Sequence, residues 1–118
     1  MKYAVERSRD VERDLAAIFD FLLESYLAFG EDHATAFDRA ADRIREIERA
    51  TSSLGAVPHQ GTLREDILPG IRSVTKDRAI FYFDVHDDRH LVRILAVFFG
   101  GQDHQRRMLR RLLRDNRS

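Results

Sequence analysis

A chain of 118 residues with 20 basic and 20 acidic side chains has room for one hydrophobic core and not for two. The absence of cysteine excludes a disulfide framework and a thiolate metal site. No apolar run approaches the ~20 residues that span a bilayer, and the amino-terminal MKYAVERSRD has no apolar leader core. The expectation is a single soluble, cytoplasmic domain over residues 1–118, with no membrane contact.

Tyr3 to Glu6 is a short strand-like opening. Ser8 then offers an N-cap oxygen to a following helix, with Asp10 and Glu12 favourable in its first turn. Val11, Leu15, Ile18, Phe19, Leu22 and Tyr26 recur at helical spacing, and Gly30 is a natural stop. A second helix is predicted from about Asp32, with Phe37, Ala41, Ile44 and Ile47 as its apolar stripe and Gly55 and Pro58 at its end. Such a helix hairpin cannot bury its stripes alone and needs a sheet to pack on.

Residues 56–70, which hold both prolines, read as a loop. From Ile71 the period changes. Arg78 to His86 and His90 to Phe99 are rich in Ile, Val, Phe and Tyr and are separated by Asp87-Asp88-Arg89, a hairpin connection. Their centres are apolar at consecutive positions, as in strands covered on both faces. Gly100-Gly101 breaks the second strand, and a last helix follows with Met108, Leu109, Leu112 and Leu113 as its buried stripe.

Charge is unevenly placed along this layout. Residues 1–60 carry eight basic and twelve acidic side chains, whereas residues 61–118 carry twelve and eight. The basic side chains Arg64, Arg72, Lys76, Arg78, Arg93, Arg106, Arg107, Arg110 and Arg111 come from the sheet and the last helix, and a cluster of that kind suits an acidic partner. Taken singly, each is an arginine or lysine on a solvated face. His86 and His90 flank a hairpin tip, which gives no closed ligand shell, so no metal is expected. Asp103-His104 is an acid–base pair in composition, but Asp103 is better placed as the N-cap of the last helix. There is no nucleophile elbow, phosphate-binding glycine loop or paired-carboxylate spacing, so no cofactor and no conventional hydrolase chemistry is expected.

Three segments resemble a known family: LPGIRSV (Leu68 to Val74), RAIFYFDV (Arg78 to Val85) and ILAVFFGGQDHQRRML (Ile94 to Leu109). In this order, after an amphipathic helix pair, they look like the motifs of the ParE/RelE superfamily of bacterial type II toxins, often labelled plasmid-stabilisation proteins. The resemblance implies an α+β fold, with an amino-terminal strand and a helix hairpin packed on a mainly antiparallel sheet, closed by a carboxy-terminal helix. RelE-like members are ribosome-dependent mRNA endonucleases that use basic residues on the sheet and a tyrosine in the last helix. ParE-like members lack that set, and several are reported to poison DNA gyrase. Here Ala79 and Gln102 stand where the nucleases place arginine, and no tyrosine follows Tyr82.

The resemblance therefore implies a ParE-like toxin that arrests growth by binding a target such as DNA gyrase, not by catalysis. Its partner is a cognate antitoxin, laying an acidic carboxy-terminal segment across the hairpin and sheet in a toxin–antitoxin hetero-oligomer. The binding residues expected are Arg72, Lys76, Arg78, Arg93, Arg106, Arg107, Arg110 and Arg111; direct binding to nucleic acid is not expected. The alternatives are a RelE-like nuclease with a rearranged basic site and a non-toxic domain that retains only antitoxin binding.

Overall fold

The computed structural model describes residues 2–100 and 104–115. Strand β1 (Ala4–Arg7) leads into helix α1 (Arg9–Ala28), and helix α2 (His33–Ser53) returns beside it. Four further strands follow, β2 (Thr62–Leu63), β3 (Arg72–Lys76), β4 (Ala79–His86) and β5 (Leu91–Phe99), and helix α3 (His104–Asp115) closes the chain. The five strands form one sheet in the order β1-β5-β4-β3-β2. Only β1 with β5 is parallel, so the sheet is mainly antiparallel, as the sequence implies.

The two apolar strands are indeed the inner ones, and their alternation supplies two cores. Ala79, Phe81, Phe83, Val92, Ile94, Val97 and Phe99 face the helix hairpin, where Val11, Leu15, Ile18 and Leu22 of α1 cover them. Ile80, Tyr82, Ala96 and Phe98 face the other way, under Met108 of α3. Burial on both faces explains why these segments read as unbroken apolar runs. The pairing of β4 with β5 shifts between Tyr82 and Phe83, where Leu95 is the extra residue of a bulge.

Three local expectations change. Ser8 occupies the N-cap position, but its hydroxyl makes no capping bond and donates instead to the Leu95 carbonyl at 3.2 Å, across the sheet edge. On α2 the buried line is Ala36, Ala40, Ile47 and Thr51, with Phe37 47% exposed. Phe37 lies about 100° round the helix from Ala36, and it packs edge-on against Phe19 (ring centroids 5.2 Å apart) on the outer side of the hairpin. The connection over 56–70 is not wholly irregular either, since Thr62 and Leu63 pair with Ser73 and Arg72 as an edge strand.

The last helix is rotated from its expected setting. Met108 is buried and Leu112 partly so, but Leu109 and Leu113 are exposed, because polar side chains of the same helix, above all Arg111, take the inward positions. Gly101, Gln102 and Asp103, including the expected N-cap of α3, lie outside the described residues.

The β3–β4 turn carries local strain. Asp77 and Arg78 both sit at positive φ, 51° and 68°, a geometry that two-residue hairpins fill with Asn-Gly or Asp-Gly. Arg78→Gly is expected to raise stability by about 1 kcal/mol, read as a higher urea midpoint at unchanged slope. A lower midpoint would show that the Arg78 side chain contributes more than its backbone costs.

Candidate partner-binding surface

The basic side chains singled out in the sequence divide into separate groups. Arg72 donates to the His59 carbonyl at 2.9 Å, and Lys76 borders α2 beside Glu46 and Arg49. Arg93 lies 3.7 Å from Glu6 and is about half exposed. Arg64 forms a two-bond pair with Asp66, at 3.0 and 2.8 Å, and this holds the Asp66 carboxyl below its ordinary range. Arg107, Arg110 and Arg111 do come together: with Arg114 they line a notch of about 250 Å³ around the Phe98 ring. The guanidinium carbons of Arg107 and Arg111 lie 4.6 and 5.3 Å from that ring's centre.

Arg111 is not on the rim where its position beside the leucine stripe places it. It donates to both carboxylate oxygens of Asp14, at 2.9 and 2.6 Å, and to the Leu95 carbonyl at 3.1 Å. Asp14 is 5% exposed and also accepts the Val97 N–H at 2.9 Å. One buried carboxylate thus joins α1, the outer edge of β5 and α3. Arg106, Leu109, Arg110 and Leu113 are exposed along one side of α3, with Arg110 also bordering the notch at Phe98.

Arg78 projects from the strained turn toward a larger cleft of about 680 Å³ between the hairpin and the end of β5. Phe21, Tyr26 and Phe29 form its α1 wall, and Arg39, Asp42, Arg43 and Glu46 its α2 wall. Arg43 braces the turn by donating to the Asp77 carbonyl at 2.8 Å, and Arg39 lies over the Tyr26 ring while pairing with Glu31. Phe29 is 88% exposed. Sequence periodicity does not single out this cleft, because its parts come from three distant segments.

On the α3 side of the sheet, the Tyr82 hydroxyl lies 2.7 Å from Nδ1 of His104. Burial pushes the Tyr82 phenol up, and the neighbouring Arg64 guanidinium partly offsets the shift. A phenol between an imidazole and a guanidinium is a proton-transfer arrangement in its donor types, but the Tyr82 side chain is fully buried beneath α3.

At the β4–β5 tip, His86 Nε2 lies 3.0 Å from Asp84, and His90 packs its ring against Tyr3. Among the described residues no three His, Asp or Glu side chains gather to hold a metal ion. Asp87 accepts the Tyr3 hydroxyl at 2.7 Å and lies 2.9 Å from His59 Nε2; the hydroxyl first and the imidazole second hold its carboxyl below the ordinary value. Because the folded value is the lower one, the stabilisation is complete above pH of about 4 and is lost as pH falls through the folded value. Tyr3→Phe should therefore raise the Asp87 midpoint in a carboxyl NMR titration. An unchanged midpoint would mean that the hydroxyl does not hold the carboxylate.

No protein-family model and no curated protein matches the sequence. Solved structures do. The fold superposes on a chain of the chromosomal ParDE toxin–antitoxin system of P. aeruginosa with TM-score 0.63 and 22% identity, covering 85% of this chain and 98% of the other. A chain of the RelBE2 toxin–antitoxin complex of Mycobacterium tuberculosis gives TM-score 0.53 and 18% identity, covering 86% and 95%. The protein has the ParE/RelE fold. Ala79 is fully buried on the helix side of β4, and Gln102 lies outside the described residues. Among the described residues no helix is long and apolar enough to cross a membrane.

Proposed function

We propose that this protein is the toxin of a type II toxin–antitoxin system and that it is ParE-like, arresting growth by binding a cellular target and being neutralised by an acidic antitoxin segment. The ParE/RelE fold, shared over most of the chain with a ParDE component, carries this reading. The chemistry of α3 supports it: Arg106 and Arg110 beside exposed Leu109 and Leu113 offer charge and apolar contact together, as an amphipathic acidic segment requires. DNA gyrase is the target to test. Purified protein added to a gyrase supercoiling reaction should inhibit it, and supercoiling at the uninhibited rate would remove gyrase from the account.

A second reading, a ribosome-dependent mRNA endonuclease, is favoured by one observation, the contact of Tyr82 with His104 beside Arg64. RNA cleavage needs a proton donor for the leaving oxygen and a cation for the developing charge. Here the phenol is enclosed, so this reading requires α3 to move off the sheet.

A further inference from the structure

We infer that the outer face of α3 docks on the outer face of α1 in a second copy of this chain, giving a symmetric dimer held by two equal helix–helix seams. On α1, Asp20 and Glu24 stand one turn apart beside Phe21, which is 46% exposed. On α3, Arg106 and Arg110 stand one turn apart beside Leu109 and Leu113, which are 42% and 65% exposed. Each helix thus presents two like charges at the same i,i+4 spacing together with an apolar ridge, and the signs are opposite. Asp20, Glu24 and Arg110 have no ion-pair partner among the described residues.

Position makes the pairing reciprocal. Ala17 and Phe21 of α1 and Arg107 of α3 line one small cleft at the outer edge of β5, so the two helices flank that edge. A two-fold axis beside the edge sets α1 of each copy against α3 of the other. Strand addition is not the mode of contact. The edge is blocked where β1 ends: Asp14 takes the Val97 N–H, and Ser8 and Arg111 take the Leu95 carbonyl. What remains for a partner is side-chain contact from the helices, which is what opposite charge and apolar ridges supply.

An acidic antitoxin segment would compete with the second copy for Arg106 and Arg110, but the self-association needs no partner and its failure leaves the proposed function untouched. The test is sedimentation velocity on the full chain from about 1 µM to about 1 mM, at salt of about 50 mM and about 500 mM. Wild-type protein should dimerise with concentration, more weakly at high salt. Asp20→Lys/Glu24→Lys and Arg106→Glu/Arg110→Glu should each weaken self-association about tenfold to hundredfold while keeping the wild-type circular dichroism. An equimolar mixture of the two variants should dimerise again, because both seams then regain opposite charges. A wild-type monomer throughout, unweakened variants, or a mixture no tighter than its components would overturn the inference.

Discussion

Replacing Asp14 with alanine should destabilise the fold by about 3–5 kcal/mol, the cost of leaving one partner of a buried ion pair without the other. Asp14 is 5% exposed, and the Arg111 side chain that donates to both its oxygens is 15% exposed. The substitution removes three bonds at once: the two from Arg111 and the one from the Val97 N–H. The Arg111 guanidinium loses its close two-bond carboxylate and keeps the more distant Asp10, 3.7 Å away, and an unsatisfied edge amide is left behind. Asp14→Ala/Arg111→Ala should cost clearly less than the sum of its single substitutions, since the second change relieves the charge exposed by the first. Loss of α3 docking should accompany Asp14→Ala and appear as fast amide exchange over 104–115 while β4 and β5 stay protected. Urea unfolding of the four proteins measures the cycle. A single-substitution cost below about 1 kcal/mol would place the pair among surface ion pairs and remove it as the fastening of α3.

The second large effect concerns the acidic partner. Arg106→Glu/Arg110→Glu should slow association with the cognate antitoxin about tenfold to hundredfold at low salt, with a smaller change in dissociation, because exposed charges act mainly on encounter. The difference should shrink as salt rises and the Debye length falls below about 10 Å. These two positions are the informative ones. Reversing Arg111 would break its pair with Asp14 and confound binding with folding, and Arg107 is stacked on Phe98. Stopped-flow mixing at two salt concentrations gives the rates. If the rate and its salt dependence match wild type, the antitoxin docks elsewhere, and the cleft of Arg78, Phe21 and Phe29 is the next surface to mutate.

The architecture was largely legible because it rests on patterns that neighbouring residues carry. The period change near residue 70 and the unbroken apolar runs of β4 and β5 mark a sheet covered on both faces, and the α1 stripe identifies one cover. What could not be read is what distant side chains do to one another. Met108 and Leu112 lie one turn apart and set the inward face of α3, but Leu109 and Leu113 compete for the same role in sequence. Asp14, 97 residues before Arg111, decides between them. Nothing local marks Asp14, which sits in an acidic helix as one carboxylate among several. Phe37 runs the other way: its size suggests burial, but the buried positions of that turn are the alanines at 36 and 40. The basic residues of the sheet and last helix are legible in sequence as positions only. Their separation into an α3 group, an edge group and a turn follows from strand register and helix rotation, which composition does not encode.

The most direct test of the central reading is controlled expression of this chain in a bacterium, with viable counts followed and the 5′ ends of a translated message mapped by primer extension. A toxin that acts by binding should stop growth within a few generations, with the message left intact and growth restored by co-expression of its antitoxin. Cuts at codon positions that disappear in His104→Ala would contradict that account in favour of the nuclease, and undiminished growth would contradict toxicity itself.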